Sequence, residues 1–191
     1  LDQYCDKNIF GPLELESTFF VDLSADRLSR GTGTIFVPTQ KCPWRKEILC
    51  GEVDDDNAYA MGGVAGHAGL FSSLHDVHKF LVRLRDCYLG KDGFLKAQVV
   101  REFLARDTAV EGCTRAHGWD TPSAESSSSG RFFSPTAVGH LGFTGTSIWW
   151  DLEQDCHVIL LSNRVHPTRN NDKIRGFRPY IHDLIMERLL R

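Results

Sequence analysis

The stretch HLGFTGTSIWWD, His140–Asp151, places an imidazole two residues before a glycine, repeats glycine three residues later and closes on two tryptophans and an aspartate. Such a stretch could cradle a phosphate, belong to a nucleophilic site, or make a tight turn between strands. Phosphate binding needs backbone amides fanned by glycines at a helix N-terminus, as in G-x-x-x-x-G-K-[ST] or in G-x-G-x-x-G between a strand and a helix. The first string does not occur. The glycine-rich run GGVAGHAG, Gly62–Gly69, has no clear strand before it. Nucleotide binding is therefore not expected.

Nucleophilic catalysis needs a base beside the attacking group. The elbow G-x-S-x-G is absent. Ser-x-x-Lys on a helix would put an amine one turn from the hydroxyl that it deprotonates. The residues three before the lysines are Tyr4, Pro38, Pro43, Asp76, Tyr88, Gly93 and Asn170, and none is serine. Tyr-x-Asn is absent as well. Metal chemistry is no better supported. His75 and His78 have a chelating i, i+3 spacing but no obvious third ligand, so they read as surface histidines. The acidic run EVDDDN, Glu52–Asn57, lacks the alternating ligands and distal Glu of an EF-hand, so it reads as a hydrogen-bonding loop. Six cysteines are scattered without a C-x-x-C pair. They read as reduced thiols, mostly buried, with a Cys42–Cys50 bridge as the main alternative.

The elements that must hold these residues follow from periodicity. Leu1–Asn8 looks like the last two turns of a helix, broken by Pro12. The N-terminal LDQYCDKNIFGPLEL has neither the basic nor the apolar region of a signal peptide and reads as a chain entered mid-helix, part of a longer protein. GTIFVPT suggests a short strand, and Gly51–Gly69 a glycine-dense loop. Ser72 or Ser73 should cap a helix with Val77, Phe80, Leu81, Leu84 and Tyr88 on one stripe, ended by Gly90 as its C′ residue. A second helix fits KAQVVREFLAR. SAESSSSGR is low in complexity and expected to be mobile. Strands are expected over Val138–Phe143, Thr146–Asp151 and His157–Ser162, close enough for a meander. A last amphipathic helix should present Ile181, Leu184, Ile185 and Leu189 on one face. The fold class is α+β, an antiparallel sheet with packed helices, in a single domain over 1–191.

Composition sets outer limits. Apolar residues are 41% of the 191, enough for a core, and 22 basic against 25 acidic residues leave a net charge of −3. No basic excess points to nucleic acid, and no apolar run approaches the ~20 residues of a membrane span.

Four segments in order resemble the C-terminal part of serine β-lactamase-like and penicillin-binding-protein-like hydrolases, closest to class C β-lactamases and their esterase and peptidase relatives. IFGPLELESTFF resembles the family's I..PLGM..T.F. GGVAGHAGLFSSLHDVHKFL resembles aGGL.ST..Dl.rf. HLGFTG stands where the family carries its third motif, Lys-Thr-Gly or His-Thr-Gly, and VILLSNRVHP resembles the strand and turn after it. The resemblance implies a partial serine β-lactamase/DD-peptidase-like fold in which a serine forms an acyl-enzyme and the third motif walls the site. His140 would be the polar side chain of that motif, and Gly142 would allow close backbone approach. The Phe143 N–H would be the oxyanion donor. Leu141, Gly142, Thr144 and Gly145 would face substrate, with Trp119 and Asp120 of GWDTP and Arg169 of HPTRNN on the rim. Leu141 departs from the family's Thr and removes a hydroxyl.

The resemblance thus implies a fragment of a hydrolase acting on ester, β-lactam or peptide bonds, without its nucleophile and base and so inactive alone. It implies no metal and no cofactor. A non-catalytic module binding a peptide or cell-wall fragment is the alternative. A partial sheet would also expose apolar surface and favour self-association.

Overall fold

The chain opens in helix α1 (Asp2–Cys5), which continues as one π-helical turn over Asp6–Phe10 and stops ahead of Pro12. The computed structural model describes residues 1–24 and 35–191. They divide into two compact units, Leu1–Phe80 with Val165–Asn170, and Leu81–Arg164 with Asn171–Arg191.

In the first unit, β1 (Phe19–Phe20) pairs antiparallel with β2 (Leu70–Phe71). Two helices start on side-chain caps. Asp55 accepts the Ala58 N–H at 2.8 Å ahead of α2 (Asp56–Ala60), and Ser73 accepts the Asp76 N–H at 3.2 Å in the first turn of α3 (Leu74–Tyr88), as unbonded helix-start amides require. The two segments that flank this sheet meet through Asp76. Its buried carboxylate accepts from the Ser17 N–H at 2.7 Å and the Thr18 hydroxyl at 2.9 Å. Glu14 stands where the quoted family pattern has glycine, yet keeps a left-handed backbone with φ of 54°. A side chain there costs about 1–2 kcal/mol that glycine would not.

Several expectations change here. The stretch 51–69 is not loop throughout, because Asp55 caps α2 inside it. Residues 35–39 of GTIFVPT form no strand, and Gly33 and Thr34 lie outside the described residues. Pro38 interrupts that segment and can donate no ladder bond; only Lys41 and Ile48 make an isolated bridge. Cys42 and Cys50 are not bridged. All six cysteines are free, with Cys42 and Cys87 buried and Cys50 exposed.

The second unit is a sheet with a helix on each face. The division falls inside α3, whose last turn carries Cys87 and Tyr88 and ends at Gly90 (φ 74°). Helix α4 (Ala97–Leu104) buries Val100 and Leu104. Five strands follow as an unbroken antiparallel meander: β3 (Arg115–Ala116), β4 (Trp119–Asp120), β5 (Val138–Leu141), β6 (Ser147–Asp151) and β7 (Cys156–Leu160). The hairpin β3–β4 was not expected, since two residues per strand leave no readable alternation. Strand β6 is covered on both faces. Trp149 packs with Phe133, Ala137, Val158 and Met186, while Trp150 meets Tyr88 edge-on at 5.6 Å. Asp151 ends the strand fully buried, accepting from the Ser134 N–H and hydroxyl, each at 2.7 Å, and from the N–H groups of Glu153 and Gln154 at 3.0 Å.

Helix α5 (Ile174–Leu189) centres its buried face one row away from the one expected; of the expected face, Ile185 still packs against the Trp149 cluster. Ile174, Arg178, His182 and Met186, spaced by four, are its buried residues, and Leu184 and Leu189 are exposed. The apolar pattern misleads because two buried positions carry polar side chains with specific partners. The serine-rich stretch is expected to be mobile, but residues 127–130 are packed, behind the exposed Ala124, Glu125 and Ser126. Ser129 is fully buried and the Ser128 carbonyl bonds to His182.

Truncation separates the two faces. Met186→Ala should cost about 2–5 kcal/mol of unfolding free energy, because Met186 is 0% exposed in the Trp149 cluster. Leu189→Ala, at a residue 60% exposed, should stay within about 0.5 kcal/mol. Urea unfolding of both variants measures this. Equal losses, or a larger loss for Leu189→Ala, would place the core on the other face.

Candidate active site

The turn between β5 and β6 is built on glycines and arginines. Strand β5 pairs with β6 in the register Val138↔Trp150, Gly139↔Trp149, His140↔Ile148 and Leu141↔Ser147. A Cβ on Gly139 would lie 2.4 Å from the Trp149 indole, so only glycine lets that ring cross the strand before His140. A Cβ on Gly142 would lie 2.0 Å from Thr146 Oγ1, so any side chain there would have to displace that hydroxyl. The turn closes with the Gly142 N–H donating to the Thr146 carbonyl at 2.8 Å and the Gly145 N–H to the Gly142 carbonyl at 3.1 Å.

Two arginines hold the turn's carbonyls. Arg178 of α5 donates from Nη2 to the Gly142 carbonyl at 2.6 Å and the Thr146 carbonyl at 2.7 Å. Arg164 donates from Nε to the Phe143 carbonyl at 2.7 Å, and its backbone N–H reaches the Thr144 carbonyl at 2.8 Å. The Arg164 guanidinium also lies 4.1 Å from the Phe143 ring centroid, a cation–π distance. The Ser162 hydroxyl donates to the Gly145 carbonyl at 2.6 Å. The peptide between Gly142 and Phe143 is trans, so its C=O and N–H point in opposite directions. With the carbonyl on Arg178, the Phe143 N–H faces away from the helix.

Behind the turn sits a buried polar chain. His182 Nδ1 lies 2.9 Å from the Ser128 carbonyl, which can only accept, so Nδ1 carries the proton. Its Nε2 then accepts from the Ser147 hydroxyl at 3.2 Å. A serine on an imidazole can be a nucleophile, but Ser147 is 1% exposed and His182 0%, so no substrate reaches them. Burial lowers the His182 pKa below its ordinary value, and the Arg178 charge adds to this. Burial also lowers the Arg178 pKa, assisted by Arg164.

The singled-out residues divide between the two units. His140 and Leu141 lie on β5, and Gly142, Phe143, Thr144 and Gly145 form the turn, with His140 and Phe143 exposed. Asp120 pairs with Gly139, which carries Trp119 of β4 toward the His140 end of β5. Asp120 is also ion-paired with Arg115.

Arg169 belongs to the other unit and is no solvated loop arginine. Its Nη2 reaches the Asp54 carbonyl at 2.6 Å and carboxylate at 3.1 Å, and its Nη1 the Asp56 carboxylate at 3.2 Å. Arg45, 3% exposed in its side chain, joins the same acidic run through Glu52 at 3.5 Å and Asp56 at 3.1 Å. Burial works against the Asp56 carboxylate, but Arg169, Trp44 and Arg45 outweigh it and hold its pKa below the ordinary value. The run EVDDDN is thus a two-arginine ion network. His75 and His78 are exposed on α3, and among the described residues no three ligating side chains converge.

The sequence reading missed Arg164, Arg178, Ser162 and His182. The available signal was the four-residue spacing of Arg178 and His182 between Ile174 and Met186.

A sequence model of the family described as Beta-lactamase matches residues 1–178. The chain belongs to the β-lactamase family. Relatives provisionally named D-alanyl-D-alanine carboxypeptidase include those of Salmonella agona and Salmonella gallinarum, each 33% identical over 189 residues, covering 91% of this chain and 42% of the relative. The chain therefore spans under half the length of these relatives. A β-lactamase from Mycobacterium bovis shares the fold with a TM-score of 0.62 at 15% identity, over 98% of this chain and 56% of that one. An octameric penicillin-binding protein homologue from Pyrococcus abyssi gives 0.61 at 15%, over 97% and 37%. The architecture is thus a partial β-lactamase/penicillin-binding-protein fold, of the α+β class. No helix among the described residues of this β-lactamase-family chain is long and apolar enough to cross a membrane.

The buried histidine gives the family fold a pH dependence in this chain. The His182 pKa is lower folded than its ordinary 6.5. Above that value the ring is neutral in both states and adds no slope. As pH falls below it, the unfolded chain takes up the proton first, so stability falls until the folded ring protonates too. Unfolding midpoints measured from pH 7.5 downward should decline less steeply in His182→Asn than in the parent. Identical slopes would mean that the buried ring does not resist protonation.

Proposed function

We propose that this chain is the third-motif portion of a serine hydrolase that works through an acyl-serine on ester, β-lactam or peptide substrates. The observation that carries the reading is the Gly142–Phe143 peptide. With its carbonyl anchored on Arg178, its N–H is a fixed dipole aimed away from helix α5. A donor held in advance stabilises an oxyanion without reorganising, and removing one such donor elsewhere costs about 100- to 1,000-fold in kcat.

In the complete site a serine attacks the acyl carbonyl, a C–O bond forms, the hydroxyl proton passes to the base that accompanies the serine, and the carbonyl electron pair moves to oxygen. The Phe143 N–H supports that oxyanion until it collapses, breaks the bond to the leaving group and expels it as an amine or alcohol that takes the proton back from the base. Water then attacks the acyl-serine and releases the acid. His140, exposed on β5, supplies a polar side chain beside the substrate, and Trp119 with Thr144 borders it. Gly142 and Gly145 keep the turn thin. Leu141 offers no hydroxyl to a substrate carboxylate, which favours acyl donors recognised without one at this position. Arg169 has carboxylate partners of its own, so the substrate role that the resemblance implies for it becomes the weakest of the set.

The nucleophile and its base are not among these 191 residues, which contain neither Ser-x-x-Lys nor Tyr-x-Asn. We therefore expect no turnover from the chain by itself. The same absence favours the second reading, a module that binds a peptide or cell-wall fragment without cleaving it.

The two readings part on one comparison. The 191-residue chain and a protein extended by its upstream coding sequence are each given nitrocefin and p-nitrophenyl acetate. The hydrolase reading expects turnover and an acyl adduct by mass spectrometry in the extended protein alone. It also expects a loss in kcat/KM of about 10- to 100-fold in the extended His140→Ala variant. Turnover by the short chain would overturn the placement of the nucleophile. Peptide binding by the extended protein, with no adduct and no turnover, would establish the binding module instead.

A further inference from the structure

We infer that Arg178 is a positioning residue for acyl transfer: its guanidinium clamps both ends of the β5–β6 turn and so fixes the direction of the Phe143 N–H. The inference rests on the hydrolase reading for its consequence in catalysis, but not for the clamp itself.

Three features separate Arg178 from an ordinary helix arginine. First, it is buried on the inward row of α5, between Ile174 and His182. Second, among the described residues no carboxylate pairs with it, and its Nε is buried without a partner. Buried guanidinium groups ordinarily have an anionic partner, because desolvating one is costly. Here the charge is spent on two backbone carbonyls. Third, these carbonyls, of Gly142 and Thr146, stand at the two ends of the turn and are reached by the same nitrogen, at 2.6 and 2.7 Å. One planar nitrogen bearing two hydrogens can satisfy both only when the carbonyls converge. The turn cannot open or flip its first peptide without breaking a charge-assisted bond.

The direction of the effect follows from the peptide plane. Rotating the Gly142–Phe143 peptide would swing the Phe143 N–H toward the helix and the carbonyl toward the substrate side. A carbonyl there would repel an oxyanion. The clamp therefore works selectively on the transition state, where oxygen carries the charge, more than on the bound substrate. Arg164 acts one peptide further on, fixing the Phe143 carbonyl at 2.7 Å, and Gly142 leaves the space that the tight turn requires.

The test has a reading independent of activity. Hydrogen exchange is compared in parent, Arg178→Met and Arg178→Lys. The clamp expects the Gly142 and Gly145 amides, which bond inside the turn, to lose protection at least about tenfold in Arg178→Met. The Trp149 amide in the sheet should stay protected, and Arg178→Lys should recover part of the loss. In the extended protein, Arg178→Met should lower kcat about 10- to 100-fold with KM little changed. It should weaken a boronate transition-state analogue by the same factor, with partial rescue by Arg178→Lys. Unchanged turn protection in a folded Arg178→Met protein overturns the clamp. Loss of protection throughout the sheet also overturns it, because the residue would then hold the fold and not the turn. Lost turn protection with unchanged kcat and boronate affinity keeps the clamp and removes its catalytic role. An extended parent protein that neither turns over nor binds the boronate counts against the hydrolase reading, while the exchange result still decides the clamp.

Discussion

A buried guanidinium with no carboxylate partner among the described residues anchors the β5–β6 turn. Arg178 gives up water for the carbonyls of Gly142 and Thr146. Hydrogen bonds from a charged donor contribute about 1.5–3 kcal/mol each, while desolvating the ion costs several kcal/mol. The two bonds do not plainly exceed the cost, so neighbouring apolar packing must hold the arginine in place. Met186, two turns further along the same inward row, meets Trp149, Val158 and Phe133. That cluster seats α5 on the sheet and carries Arg178 beneath the turn. Core packing and site geometry are thus one arrangement: the same helix face fills the core at one end and orients peptides at the other.

The other unit solves a related problem in the opposite way. Glu52 and Asp54 are buried acids, and Arg45 and Arg169 meet them and Asp56 together. Charges are matched there, and Arg45 is further covered by the Tyr59 ring at 3.9 Å. Asp55, between the paired acids, is used differently, capping α2 and meeting His67 at 3.1 Å. A sequence run that resembles a cation loop is accounted for by two arginines and a helix cap. Contiguous carboxylates say little about metals until the distant cations that face them are known.

What could be read from the sequence was what repeats locally. The β5–β7 meander follows from three strand candidates joined by short turns, α3 from its stripe and its Ser73 and Gly90 ends, and the family from four ordered segments. Two of those segments touch, Thr18 of the first donating to Asp76 of the second. What could not be read depends on long-range pairing. Arg178 and His182 look like solvent-facing breaks in an apolar stripe, and only the distant carbonyls of Gly142 and Ser128 explain why they point inward. The serine-rich stretch has the composition of a mobile loop but supplies that Ser128 carbonyl. Strands β3 and β4 are too short for any period. In the candidate site, His140 and Gly142 stand together because they are near in the chain, whereas the arginines that hold the turn come from 21 and 36 residues away.

The glycine at 142 and the arginine at 178 then have to be understood as one device. A turn with glycine at 142 is flexible in isolation, since glycine populates both signs of φ. Such freedom would let the Phe143 N–H point either way, and a donor that must reorient during reaction loses much of its advantage over water. The arginine holds both ends of the turn from outside the strand, so a thin turn and a fixed peptide coexist. A bulkier residue at 142 could have supplied rigidity, but only by displacing Thr146 Oγ1. The Leu141 departure fits the same logic. The residue before the glycine can lose its hydroxyl without loosening the turn, because nothing in the clamp passes through that side chain. The backbone turn at 142–146 can therefore keep its shape whatever side chain stands at 141.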